Sequence, residues 1–168
     1  HNTMYRKYMM EAVKEAERAA RMGEVPIGAV IVKDGEIIGK GHNLVETEHN
    51  GTRHAEMIAI EGATQKLGYS RLYGCEMYVT CEPCTMCAGA LVLSRISRVI
   101  IGTMDAKSGA CGSVYNLLNE RRLNHRVTVE YGIMEKECRQ LLVDFFKKIR
   151  IENRRNKGLE ELEQFCLV

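Results

Sequence analysis

Apolar residues at Met9, Ala12, Val13, Ala16 and Ala20 repeat with helical spacing, and Gly23 follows as a stop, which predicts a helix over 4–22. Pro26 then opens an apolar strand over 27–33. Asp34-Gly35 is a hairpin turn pair, and 36–41 returns as a second strand. Residues 43–53 are polar and read as a loop. A helix is expected over 54–66, ended by Gly68, and a short apolar strand over 77–80. Pro83 suits the first turn of the next helix, which runs to about Arg95. A buried strand over 99–102, a Gly/Ser-rich loop over 103–113, a short helix over 114–118 and a strand over 127–131 follow. A long helix from 135 to about 153 closes the pattern. In the tail, Leu159, Leu162 and Phe165 fall every third residue, which suits a last helical turn or two packed on the body, or a frayed end. A hairpin followed by strand–helix crossovers predicts an α/β fold, a three-layer α/β/α arrangement around a mixed sheet of about five strands.

At 168 residues the chain suits a single domain, placed at 4–153, with 154–168 as a basic tail. His1-Asn2-Thr3 stands ahead of Met4, the expected natural start. A hydrophobic share of 45% and a charged share of 27% are ordinary for a soluble globular protein. No apolar run is long enough for a membrane span, and no signal-peptide core precedes the first helix. The 7 cysteines are an odd number with two of them three apart, so metal ligation in a reducing cytosol is a better expectation than a disulfide framework. A net charge of +2 does not by itself call for a nucleic-acid partner. Its distribution is more telling, because Lys147, Lys148, Arg150, Arg154, Arg155 and Lys157 crowd the late chain against Asp144 and Glu152. That crowd is either a solvated helix face or a stripe facing phosphates.

The chemistry-bearing residues are His54, Glu56, Cys84 and Cys87, in the segments His54-Ala55-Glu56 and Pro83-Cys84-Thr85-Met86-Cys87. Cys84 and Cys87 share a helix face at i and i+3. His54 and Glu56, at i and i+2, would point about 200° apart in mid-helix, so they can reach one site only off a helix end. Two helix N-termini are thereby expected to converge. Their partial positive charge and free N–H groups favour thiolate over thiol and can steady negative charge on a substrate. One imidazole and two thiolates suit zinc, and three protein ligands leave a fourth position for water, the mark of a catalytic site. Zinc lowers the pKa of such a water to about 7, and Glu56 is the acid/base beside it. A lone CxxC is also a redox pair or half of a structural zinc site. Joined to His54 and Glu56 at this spacing, with a proline directly before the first cysteine, it is far more specific. Cys81 is a rival ligand by position, but it precedes the helix. Cys75, Cys111, Cys138 and Cys166 read as bland or buried residues.

The H-x-E and P-C-x-x-C segments resemble the cytidine deaminase-like superfamily of zinc deaminases. Further segments resemble its bacterial tRNA adenosine deaminase branch: Glu24-Val25-Pro26-Ile27, Tyr78-Val79-Thr80-Cys81-Glu82, Asp105-Ala106-Lys107-Ser108, Asn124-His125-Arg126-Val127 and Asp144-Phe145-Phe146. The likeness covers nearly all of 4–150. It implies hydrolysis of adenosine to inosine at the wobble position of a tRNA anticodon. It also implies one zinc per subunit and a homodimer with an active site near the interface. Carried onto matching positions, Asn43 would hydrogen-bond the flipped base, with Val25 and Ile27 lining its pocket and the Ala55 N–H helping to fix it. Asp105 and Lys107 would contact neighbouring nucleotides, and Asn124, Arg126 and Phe146 would hold the anticodon loop. Blander roles stand beside these: a loop cap for Asn43, plain core for Val25 and Ile27, and a surface ion pair for Asp105 and Lys107. Arg53 stands where the branch often has a small residue, and either adds a phosphate contact or alters the pocket rim.

Three other functions share parts of this pattern. A deaminase of a free base or nucleoside, such as guanine or cytosine, needs the zinc motif but no RNA surface. A non-catalytic zinc-bearing RNA-binding subunit has no need of Glu56. A redox CxxC protein is the third, and stoichiometric zinc retained under mild oxidation would count against it.

Overall fold

In the first helix, α1 (Asn2–Arg21), Tyr5, Tyr8, Met9, Ala12, Val13, Ala16 and Ala19 form one buried stripe. Ala19 takes the inward place expected of Ala20, which is half-buried. The stripe packs on a hairpin of β1 (Gly28–Lys33) and β2 (Glu36–His42). Its turn residues Asp34 and Gly35 both have positive φ, 49° and 77°, as a tight hairpin turn needs. The chain then makes α2 (Ala55–Leu67), β3 (Cys75–Cys81), α3 (Thr85–Leu93), β4 (Arg98–Thr103), a 3₁₀ turn (Leu117–Asn119), β5 (Thr128–Tyr131) and α4 (Glu135–Cys166). This computed structural model describes residues 2–166, with the side chains of 3–162.

The sheet has five strands in the order β2-β1-β3-β4-β5. β1 runs antiparallel to β2 and β3, whereas β3, β4 and β5 are parallel. Successive residues of each strand face opposite layers. Ala29, Ile31, Met77, Val79, Val99 and Ile101 pack with Ala55, Ala59, Ala88 and Leu91 of α2 and α3. Val30, Val32, Tyr78 and Ile100 pack with α1, with Met134 just before α4 and with Cys138 in its first turn. The α/β/α layering expected from the sequence is therefore present. Ligands of such sheets gather at the carboxyl ends of the parallel strands. There β3 leads into Cys84 and β4 leads into the loop over 104–113.

Several boundaries differ from the expected ones. β3 is longer, reaching Cys75 and Cys81, because it lies in mid-sheet and is buried on both faces. Pro83 lies outside α3, which begins at Thr85 with Cys84 as its N-cap in an extended conformation. The same helix stops at Leu93 because Arg95 adopts a positive φ of 61°. The short helix is the 3₁₀ turn at Leu117–Asn119, and Val114 and Tyr115 before it are exposed. α4 passes Asn153 and Gly158 unbroken and runs 32 residues. Leu159 and Leu162 near its end do not pack on the body, being 53% and 61% exposed. The side chains of Phe165 and Cys166, and His1, lie outside the described residues. Among the described residues no helix is long and apolar enough to cross a membrane.

Candidate active site

His54 is the N-cap of α2 in an extended conformation, and its carbonyl accepts the first helical N–H, from Ile58, at 3.2 Å. Cys84 plays the same part for α3, accepting from Ala88 at 2.8 Å. Both helices thus direct their first turns, with N–H groups that lack helical partners, at one place. β2 fixes the approach of α2. A Cβ on Gly41 would lie 2.2 Å from the Ala55 carbonyl oxygen, so only glycine lets the first turn of α2 sit this close to the sheet.

The convergence brings three ligand atoms together. His54 Nδ1 lies 3.6 Å from Cys84 Sγ and 3.6 Å from Cys87 Sγ, and all three atoms fall within 4.8 Å of one another. Hydrogen bonds from the Cys87 thiol and His54 pull the Cys84 thiol down to about 3, against the opposing effect of burial. Its bond to Cys84 in turn raises the His54 imidazole. Cys87 moves the other way and holds its proton, first because it donates to Cys84 and then because it is buried. A divalent cation would bring both sulfurs to thiolate. An imidazole and two thiolates fit zinc.

Glu56, in the first turn of α2, is buried beside this group. Burial pushes its carboxyl up to about 7, with its own N–H and His54 pulling the other way. A carboxyl poised near neutrality both takes and gives a proton. Cys81, the rival ligand by position, is kept a thiol: burial and the nearby Asp105 push it up to about 12, and it stands outside the ligand group.

A cavity of about 300 Å³ opens onto the group. Val25, Ile27, Asn43, Ala55 and Asp105, all singled out in the sequence, line it together with His54, Glu56 and Cys84. Asn43 is buried, and its Oδ1 has no hydrogen-bond partner among the described residues. It therefore does not serve as a loop cap through that oxygen. Its backbone N–H donates to the Ile27 carbonyl at 3.2 Å, which ties the two walls together. Lys107, Asn124, Arg126 and Phe146 do not line the cavity and are exposed. Asp105 and Lys107 are not a surface ion pair, because the Asp105 carboxylate accepts the backbone N–H groups of Lys107 and Ser108, at 3.0 and 3.2 Å.

Two buried carboxylates in the cavity wall escaped the sequence reading. Glu24 accepts from the N–H groups of Glu46 and Thr47 at 3.1 and 2.6 Å, and from the Thr47 hydroxyl at 2.5 Å. It thereby ties the 43–53 loop to the 24–27 segment. Burial alone would raise its carboxyl, but these bonds outweigh it and hold the group low. Glu82 holds the opposite loop in the same manner. Nothing in local spacing signals either residue, since their partners are backbone and hydroxyl groups 22 or more residues away in the chain. Arg53 makes no free phosphate site, for its guanidinium is divided between Glu48 at 2.9 Å and Glu61 at 3.0 Å.

The MafB19-like deaminase family matches residues 4–150. The chain is 52% identical over 143 residues to a tRNA-specific adenosine deaminase of Bacillus subtilis, covering 85% of this chain and 89% of that one. It is 53% identical over 148 residues to a tRNA-specific adenosine deaminase of Aquifex aeolicus, covering 88% and 97%. It also superimposes, at a TM-score of 0.78 and 40% identity, on a solved structure from work on A-to-I editing by tRNA:A34 deaminases at the wobble position of transfer RNA, covering 81% and 99%. With a His/Cys/Cys group and a buried glutamate at the place where two helices of this fold converge, the chain belongs to the MafB19-like deaminases, among relatives named tRNA-specific adenosine deaminase.

Proposed function

We propose that this protein hydrolyses adenosine to inosine at the wobble position of a tRNA anticodon. The observation that carries the reading is Glu56, buried against a metal-capable His54/Cys84/Cys87 group whose His54 and Cys84 line the same cavity as Val25, Ile27 and Asn43, the last with its unpartnered Oδ1. Those three residues would hold one zinc per subunit, which would supply Lewis-acid activation of a water at neutral pH. Glu56 carries a proton from the attacking water to N1 of adenine, and then one to the amine leaving C6. The open N–H groups at Ala55 and at the start of α3 steady negative charge as it develops. Asn43 offers its unpartnered Oδ1 to a donor of the base, and Val25 and Ile27 supply apolar walls that exclude water. Anticodon-loop bases are splayed, so little unstacking is needed to deliver one to the cavity.

Asp105 and Lys107 meet the nucleotides beside the target, and Asn124, Arg126 and Phe146 hold the rest of the loop. Residues 4–153 form the catalytic unit. Residues 154–168 extend α4 as a basic arm. Support for an RNA face comes from Lys147, Lys148, Arg150, Arg154, Arg155 and Lys157, all exposed on α4 and without a carboxylate partner among the described residues. The protein works as a homodimer, supported by the exposed apolar residues Leu93, Val114 and Tyr115. It acts in the reducing cytosol, supported by the free thiols of Cys75, Cys81, Cys111 and Cys138.

The test is to incubate the zinc-loaded protein with an anticodon stem-loop bearing adenosine at the wobble position. Inosine is expected to form, and Glu56→Ala is expected to keep its zinc and form none. Turnover surviving in Glu56→Ala removes the proton-carrying role.

A further inference from the structure

Glu82 sits between the last residue of β3 and the metal-ligating turn, and only 4% of it is exposed. Its carboxylate receives four hydrogen bonds, all from one loop. Oε1 accepts the Asp105 N–H at 2.8 Å and the Ser113 hydroxyl. Oε2 accepts the N–H groups of Cys111 and Ser113, both at 3.0 Å. The adjacent Pro83 carbonyl takes a fifth bond from the loop, the Ala110 N–H at 2.9 Å. No cation pairs with Glu82 among the described residues. A buried charge satisfied only by neutral donors costs desolvation that a neutral tether would avoid. Only a carboxylate, though, offers acceptors on both oxygens. The glutamine of the same shape would turn an NH₂ group toward two of the donors.

The loop is built around this carboxylate. A Cβ on Gly109 would stand 2.1 Å from Glu82 Cδ, so a larger residue there must displace the clamped carboxylate. The clamped loop then presents Asp105 and Ser108 to the cavity. The same strand end thus leads into a metal ligand, Cys84, and fixes the cavity wall facing it.

We infer that Glu82 is a positioning residue, whose clamped loop over 105–113 sets the distance between the metal group and the wall that grips the nucleotide. The inference rests on the reading of the cavity as the base site. Glu82 acts on substrate affinity through Asp105 and Ser108, without itself holding the metal or moving a proton.

The test uses the full-length, zinc-loaded protein with Glu82→Gln, Gly109→Ala and the double variant. Amide exchange without substrate is expected to quicken by about tenfold or more at Asp105, Cys111 and Ser113 in both single variants, one charge-assisted bond being worth about that factor. KM for the stem-loop is expected to rise by about tenfold, with kcat changed less than about threefold and zinc content unchanged. The double variant is expected to be no worse than Gly109→Ala alone, because both substitutions undo the same clamp. If Glu82→Gln does not fold, Ser113→Ala removes one donor and is expected to raise KM by about threefold. Unchanged exchange overturns the clamp. Faster exchange with unchanged KM makes Glu82 a residue of folding only, and lost zinc makes it part of the metal site; either result overturns the positioning role. Absence of turnover by the unsubstituted protein overturns the base-site reading and this role with it, whereas the other failures leave that reading standing.

Discussion

Burying Glu56 raises its carboxyl from 4.5 to about 7, and that shift sets a sign for stability. The folded metal-free protein holds the proton more tightly than the unfolded chain. The contribution of Glu56 is therefore complete below pH 4.5 and is lost as pH rises through about 7. Glu56→Gln removes this dependence. In chemical denaturation of the metal-free proteins, the two should differ little near pH 4.5, and the variant should be more stable by about 3 kcal/mol at pH 8. A constant difference between the two proteins across that range would show that folding does not raise the Glu56 carboxyl. For Asn43, whose buried Oδ1 is unpartnered, Asn43→Ala should leave thermal stability nearly intact and lower kcat/KM by about 10- to 100-fold, the worth of one or two bonds to substrate. A stability loss without an activity loss would assign it to the fold. Four residues of the site were legible in the sequence because chain spacing constrains them: i, i+2 across a helix start and i, i+3 in a first turn. Glu24, Glu82 and the double pairing of Arg53 were not legible, because each depends on groups that only the folded chain brings near.

At the scale of the elements, the seat of α2 on β2 decides where His54 and Glu56 stand. Gly41→Ala places a methyl group against the Ala55 carbonyl oxygen, 2.2 Å away, and must lift the first turn. We expect a loss of about 1–3 kcal/mol in thermal or chemical denaturation and faster release of zinc to a chelator. Unchanged zinc release would mean that the turn tolerates the displacement. The helices and strands around this seat were readable from apolar periodicity. Their ends were less so. Arg95 closes α3 in a conformation that its residue type does not advertise, and Gly158 fails to break α4 although glycine usually signals a stop.

Across the whole molecule, the sheet gathers the chemistry at one end, and α4 carries a run of exposed cations without a carboxylate partner among the described residues. Replacing Arg154, Arg155 and Lys157 with glutamate should leave the fold and the zinc unchanged. It should weaken stem-loop binding and lower the salt slope of that binding by about 2, three phosphate contacts being lost. An unchanged slope would return those residues to a solvated surface. The layering was legible because a hairpin followed by strand–helix crossovers admits few sheets. The reach of α4 beyond the body was not, since Leu159 and Leu162 have the spacing of packed residues and yet lie exposed.

The proposed activity is deamination of adenine in an RNA loop at this zinc-type site. Its most direct test gives the zinc-loaded protein four substrates side by side: a stem-loop with adenosine at the wobble position, the same loop with cytidine, free adenosine, and guanine. Inosine is expected from the first and no product from the others, whereas conversion of guanine or of free adenosine with the stem-loop left intact would overturn the proposed activity.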